Sequence, residues 1–309
     1  MRLWLAAALL GAALGVRAQA IDIPPWFTES LLEIPEDVKE AAQDGKRLML
    51  YFGQDGCPYC KELMQTNFTQ RAIVEKTRRR FVAIALNIWG DREVQWTDGR
   101  RMSEKELTRT LKVQYTPTLI FLDEKGAIAA RLNGYYPPHR FTAALDFASG
   151  VAGKGRRFED YMKAAVKESA RPKLNEQPFL RKSPVDLKGA RPVALLFETP
   201  YCSGCDELHD EGFRRPEVRK LLEKFDVYQL TPDAGRALSL RVAYTPSIVF
   251  FDAGKEAFRI EAYLRPFHLA SALDYIASGA YRKEPSFQRF LQARAERLRE
   301  SGATVDLWK

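Results

Sequence analysis

The sequence predicts an α/β protein built as two tandem repeats, each a mixed central sheet flanked by helices and each followed by an extra helix. Three observations carry this. Two Cys-x-x-Cys pairs, Cys57-Pro58-Tyr59-Cys60 and Cys202-Ser203-Gly204-Cys205, sit at matching points of the two halves. Short segments recur at a constant shift of 129 positions. The 309 residues suit two domains of roughly 100–200 residues each.

The chain opens on a segment of another kind. Arg2 is followed by an uncharged, largely apolar run from Leu3 to Val16 and then by Ala18-Gln19-Ala20. This reads as a cleavable secretory signal peptide over residues 1–20. The alternative, a membrane anchor, fits less well because a span needs about 20 apolar residues. Ile21 follows the expected cut, so no cysteine is offered for a lipid anchor. Losing Arg2 and Arg17 lowers the formal charge from +8 to +6. That charge is not gathered into a stripe, which argues against nucleic acid as a partner. The densest run, Arg78-Arg79-Arg80, reads as the solvated end of an amphipathic helix.

All four cysteines lie in the two pairs. Zinc ribbons separate their pairs by roughly 15–20 residues, whereas 141 intervene here. A two-residue loop closes too little chain for its disulfide to stabilise a fold much. Redox sites are the stronger reading, with no metal and no cofactor required. Leu48–Phe52 and Val193–Phe197 precede the pairs as continuous apolar runs, the pattern of buried parallel strands. Helix-like segments follow, Lys61–Thr66 and Asp206–Glu211. Each pair therefore opens a helix, where free N–H groups and the positive dipole end favour a thiolate.

The remaining elements read twice as well. A helix leads into the first strand. After the cysteines come a strand, Phe81–Ile88 or Phe225–Leu230, and another helix leading to Thr-Pro. Tyr115-Thr116-Pro117-Thr118 matches Tyr244-Thr245-Pro246-Ser247. Strands Thr118–Asp123 and Ala127–Leu132 are joined by Glu124-Lys125-Gly126, an antiparallel hairpin. A closing helix ends at Ser149-Gly150 or Ser278-Gly279, with glycine as its cap. Phe158 and Tyr161 of a trailing helix align with Phe287 and Phe290. The expected boundaries are 21–154 for the first domain, 155–182 for a helical connector and linker, 183–282 for the second domain and 283–309 for a terminal helix and tail. The connector helix is expected over Phe158–Ser169.

These residues resemble the thioredoxin superfamily, twice over, across roughly 34–150 and 183–280. The strand-Cys-x-x-Cys-helix, the downstream Thr-Pro and the closing hairpin and helix carry the resemblance. It implies that Pro117 and Pro246 are cis and lie against the redox pairs. X–Pro bonds take the cis form at small cost, and proline has no N–H to offer the sulfur. In its Cys-Pro-Tyr-Cys-Lys-Glu-Leu stretch and its polar insert, the first domain is similar to periplasmic thioredoxin-related proteins associated with sulfur oxidation. Cys-Pro-Tyr-Cys also occurs in glutaredoxins, which are shorter and lack the leading helix and insert. Where thioredoxin has Trp before the first cysteine, this chain has Gly56 and Tyr201. Where thioredoxin has a buried acid six residues before it, this chain has Tyr51 and Leu196. Glu198 shares a strand face with Leu196 and is either a substitute acid or, as the favoured reading, a solvated carboxylate at a strand end.

Other residues take plainer expectations. Lys61 adds positive potential near the first pair or is simply a solvated helix lysine; Asp206 stands in its place in the second. Tyr59 and Pro58 fix the first inter-cysteine loop, while Ser203-Gly204 leaves the second looser, so the two potentials should differ. His209 shares a helix face with Cys205, but no further metal ligand lies nearby. His139 and His268 are expected at the surface. The insert Trp89–Arg101, with Trp89 and Trp96, is either a lip for substrate peptide or a loop packed on its own domain.

The expected chemistry is dithiol–disulfide exchange with protein thiols and disulfides as partners. Cys57 and Cys202 attack, Cys60 and Cys205 resolve, and Thr116, Pro117, Thr245, Pro246 and Tyr59 shape the substrate surface. A periplasmic location is expected, with a membrane or periplasmic redox partner supplying electrons. Reduction is the favoured direction; oxidation, isomerisation, a non-catalytic chaperone module and a metal-binding protein are the rivals.

Overall fold

The computed structural model describes residues 20–166, 170–182, 184–240, 242, 244–261 and 263–305. Nineteen of the twenty positions of the expected signal peptide, 1–19, lie outside the described residues.

The first repeat runs α1 (Ile34–Gln43), β1 (Arg47–Gly53), α2 (Pro58–Glu62), α3 (Arg71–Arg80), β2 (Phe81–Asn87), the small hairpin β3 (Glu93–Gln95) and β4 (Arg101–Ser103), α4 (Glu104–Thr110), β5 (Thr118–Leu122), β6 (Ile128–Asn133) and α5 (Pro138–Ala148). The connector carries α6 (Phe158–Ala165) and β7 (Leu180–Arg181). The second repeat runs β8 (Val193–Phe197), α7 (Ser203–Glu207), α8 (Pro216–Leu222), β9 (Asp226–Leu230), α9 (Pro232–Ala237), β10 (Ser247–Asp252), β11 (Lys255–Ile260) and α10 (Pro266–Ala277), with α11 (Phe287–Glu300) closing the chain.

The two sheets share one plan. The first has the order β2-β1-β5-β6 and the second β11-β10-β8-β9-β7. In each, the strand before the cysteines is parallel to one neighbour and antiparallel to the other. Six of the seven β1 residues and all of β8 are buried, as continuous apolar runs between two helical layers require. Apolar clusters fill both faces of each sheet.

Three expectations change. Among the described residues the second repeat has no helix leading directly into β8: Pro184, Gly189 and Pro192 break the segment, and β7 joins the sheet edge beside β9 instead. The connector helix ends at Ala165, with Val166 already extended; residues 167–169 of its expected span lie outside the described set. The helices after the cysteines widen into a π-turn, Leu63–Asn67 and Leu208–Gly212. There Phe68 N donates to Leu63 O and Phe213 N to Leu208 O. Arg78, Arg79 and Arg80 are exposed at the end of α3, as expected. No helix among the described residues is long and apolar enough to cross a membrane.

Candidate functional site

Each cysteine pair opens a short helix. Cys57 and Cys202 are the N-cap residues of α2 and α7, and each sulfur accepts from the amide of the second cysteine at 3.1 Å. Both pairs are joined as disulfides. On reduction, the same amides and the helix dipole favour a thiolate on the first cysteine. Cys60 and Cys205 are fully buried, as a resolving thiol must be to stay shielded. The bonds Thr116–Pro117 and Thr245–Pro246 are cis.

The first site is closed. Cys57 is 6% exposed and Cys202 2%, so the first cysteine is buried at both sites; what sets this site apart is the hydrogen bonding over it. Its sulfur lies 3.3 Å from the Thr116 carbonyl oxygen, and the Thr116 hydroxyl donates to it at 3.2 Å. The Gln54 amide donates to the Thr116 hydroxyl at 3.2 Å and to Gln288 Oε1 at 2.7 Å. Trp89 Nε1 donates to Gln54 Oε1 at 2.6 Å. Gln288 belongs to α11, beyond the second repeat, and its own amide donates to the Gln114 carbonyl at 3.0 Å. Arg289 lies over the Trp89 ring. Trp96 packs in the core of its own domain, while Trp89 turns toward the cysteine face.

The second site opens onto a groove of about 540 Å³. Cys202, Thr245, Tyr201 and Val242 form one wall; Met162, Lys163 and Val166 from α6 and its end form the other. Thr199, at the position matching Gln54, puts its hydroxyl 3.3 Å from that of Thr245. Gly204 lets the inter-cysteine loop approach the cis proline: a Cβ there would stand 3.1 Å from Pro246 Cδ. Asp206 ties this face to the connector, accepting from the Arg171 backbone amide at 2.9 Å and from Asn175 Nδ2 at 2.7 Å. Lys61, its counterpart, is half-buried.

Behind the second pair lies a buried polar group. Glu198 is fully buried and its carboxylate accepts from Gln229 Nε2 at 2.7 Å and lies 3.0 Å from His209 Nε2. The expectation of a solvated carboxylate is thus corrected: Glu198, one residue past β8, still pairs through its amide with the Leu230 carbonyl at 3.0 Å and so keeps to the inward face that carries Leu196. His209 faces this carboxylate and not a metal set. Among the described residues, no group of three or more His, Cys, Asp or Glu is placed to hold a metal ion. In the first domain the matching positions are Gly53, Met64 and Ala85, and the Tyr51 hydroxyl fills the space a side chain at Gly53 would take. Burial, with Asp55 second, raises the Tyr51 phenol above its ordinary range.

The domains meet through their redox faces. Tyr59 is half-buried against the second domain: its hydroxyl accepts from the Arg265 amide at 3.1 Å, and its ring meets His268 edge-on at 5.0 Å. His268 is therefore not at the surface as expected, because the other domain covers it. Burial, with the Arg265 charge second, lowers its pKa from 6.5 to about 4. His139 is exposed. The tyrosines before the Thr-Pro pairs are exchanged. Tyr115 donates to the Arg259 carbonyl at 2.6 Å and packs on Phe258 and Phe287, while Tyr244 packs on Tyr136 at 4.9 Å under Arg140. Arg265 also reaches Glu62 at 3.5 Å.

Of the residues picked out by sequence, the structure brings together Cys57, Cys60, Thr116 and Pro117 at one site and Cys202, Cys205, Thr245 and Pro246 at the other. Tyr59 it turns into the domain interface. Sequence reasoning missed Gln54, Gln288 and the burial of His268. Gln54 lies three residues before Cys57, a local signal. Gln288 comes from 234 positions away and leaves none.

A family model described as a thioredoxin-like domain matches residues 34–149 and again 185–277. The thiol:disulfide interchange protein DsbD of Actinobacillus pleuropneumoniae serotype 5b (strain L20) is 30% identical over 115 residues, 37% of this chain and 18% of that protein. The chain thus matches less than a fifth of that relative's length. A thioredoxin-fold protein from Helicobacter pylori is 25% identical over 45% of this chain and 86% of its own, with a TM-score of 0.37. A thioredoxin from Thermus thermophilus is 24% identical over 40% of this chain and 94% of its own, with a TM-score of 0.31.

Proposed function

The chain belongs to the thioredoxin-like domain family through both of its repeats, and from that premise we propose that it is an exported thiol–disulfide oxidoreductase with two active pairs, working as a reductase. One observation carries the reading: twice, a Cys-x-x-Cys caps a helix beside a cis Thr-Pro.

In the reaction proposed, the Cys202 thiolate attacks one sulfur of a substrate disulfide. The substrate's S–S bond breaks, a mixed disulfide forms, and one substrate thiolate leaves. The Cys205 thiolate then attacks Cys202, the intramolecular disulfide closes, and the second substrate thiolate leaves. The substrate is reduced by two electrons and the pair is oxidised. Cys57 and Cys60 act in the same order. Thr245 and Pro246, and in the first domain Thr116 and Pro117, form the substrate surface. The groove lined by Cys202 is the docking place for an extended protein segment, and because Cys202 is only 2% exposed the segment must widen it to reach the sulfur. Tyr59 reaches substrate only when the domains part.

The domains act as units over 21–154 and 183–282, joined by 155–182 and followed by the helix and tail 283–309. Export rests on the basic, apolar and Ala18-Gln19-Ala20 pattern of residues 1–20 and on the periplasmic character of the resembling proteins. An oxidising compartment requires a dedicated donor for a reductase, so a membrane or periplasmic redox protein is the partner.

Insulin reduction by dithiothreitol tests the reading in wild type, Cys57→Ser, Cys202→Ser and the double variant. Stepwise loss, complete in the double variant, is expected. A wild type no faster than dithiothreitol alone would overturn general disulfide reduction.

A further inference from the structure

The hydrogen bonds around Cys57 run in one direction. Trp89 Nε1 donates to Gln54 Oε1, which fixes the Gln54 amide with its nitrogen toward Thr116 and Gln288. That nitrogen has two hydrogens, one for the Thr116 hydroxyl oxygen and one for Gln288 Oε1. With the Thr116 oxygen already accepting, its own proton is left for the Cys57 sulfur 3.2 Å away. Gln54, Thr116, Gln288 and Cys57 are all buried, so water does not compete for these bonds and each is stronger than at a surface. Gln288 is itself held, by the Gln114 carbonyl.

We propose that Gln288, carried by the terminal helix behind the second domain, is a positioning residue for Cys57: it holds Gln54 so that the Thr116 hydroxyl donates to the sulfur and stabilises its thiolate. The inference rests on the oxidoreductase reading only in supposing that the thiolate is used. Among the described residues the second pair shows no such relay: Thr199 replaces Gln54 and offers a hydroxyl that either gives or takes a proton. Docking of the second domain thus sets the acidity of the first domain's attacking cysteine. The charged and titratable groups on the elements around Cys57 are Asp55, Tyr59, Lys61 and Glu62 of its own domain, Arg265 and His268 at the start of α10, and Arg289 of α11. All of them are kept in every variant below.

The test uses the full chain with Cys60, Cys202 and Cys205 replaced by serine, so that alkylation by iodoacetamide reports Cys57 alone. The midpoint of its rate against pH is read in this background and after Thr116→Val, Gln288→Met and Asn133→Ala. Gln288→Met keeps the side-chain length and removes both polar atoms. Asn133→Ala removes a cross-domain bond to Glu261 that lies outside the relay. Hydrogen bonds to a thiolate lower its pKa, so Thr116→Val should raise the midpoint by about 1 unit and Gln288→Met by about half a unit, with Asn133→Ala unmoved. An unmoved midpoint in Gln288→Met overturns the assignment. So does an equal shift in Asn133→Ala, which would trace the effect to loosened docking. If insulin turnover is absent in the unmodified chain while the midpoints move as expected, the reductase reading falls and the relay stands.

Discussion

Glu159 in α6 and Gln288 in α11 occupy the same place in the repeat, 129 positions apart, and each trailing helix stands over the other domain's cysteine pair. Gln288 closes its space by bonding Gln54 and Gln114. Glu159 instead lines an open groove of about 540 Å³ beside Cys202. One backbone plan therefore yields a face tied down by a buried hydrogen-bond chain and a face bordered by a groove, with the first cysteine buried in both. The same contrast runs beneath the sulfurs. The buried Glu198 and His209 with the half-buried Gln229 form a polar group in the second domain, where Gly53, Met64 and Ala85 leave the first to the Tyr51 ring. The pairs that look alike in sequence differ in what lies above and below them.

The most direct test of this contrast is Glu198→Ala. It leaves the buried His209 without its carboxylate partner, while the half-buried Gln229 keeps the Asn175 carbonyl, and should cost the second domain about 2 kcal/mol in urea unfolding. Transplanting the first domain's set, Leu196→Tyr with Glu198→Gly, His209→Met and Gln229→Ala, should recover most of that loss. A transplant no better than Glu198→Ala would break the equivalence of the two solutions.

His268 gives the next. Its pKa is lowered in the folded chain, so folding holds it neutral. The stability it contributes is complete above pH 6.5, the unfolded value, and is lost as pH falls toward about 4. Over that window the docked arrangement should lose about 3 kcal/mol, and the loss should fade in His268→Leu. Urea midpoints of both chains between pH 7 and pH 4 measure it. Parallel curves would remove His268 as the source.

The smallest effect concerns the groove. Met162→Trp narrows it without touching the cysteines, and should slow insulin reduction by the second pair about 10-fold in a Cys57→Ser background while leaving the first pair's rate alone. Equal slowing of both would show that the open and closed faces do not work separately.

Much of this was legible in the sequence, and the legible part is local. The apolar runs Leu48–Phe52 and Val193–Phe197 mark the buried strands that lead to the cysteines, and the resemblance carried by the repeated Thr-Pro implies the cis bonds. The missing helix before β8 was hidden by the repeat itself, which invites reading two halves as copies although Pro184, Gly189 and Pro192 stand in one of them. Glu198 was misplaced because its burial depends on backbone pairing that runs past the apolar strand to Leu230, and on His209 and Gln229, not on its neighbours in sequence. His268 and Gln288 depend on the docking of one domain on another, and no periodicity encodes that.

The crossed placement of the trailing helices makes the molecule indivisible in a way its duplicated sequence conceals. A fragment ending after α5 would keep Cys57 and Cys60 but lose Gln288 and the seats of Tyr59 and Tyr115. A fragment starting at β8 would keep Cys202 and Cys205 but lose half the groove wall. Neither half is a smaller version of the whole: cutting the chain trades a selective pair of faces for two unguarded ones.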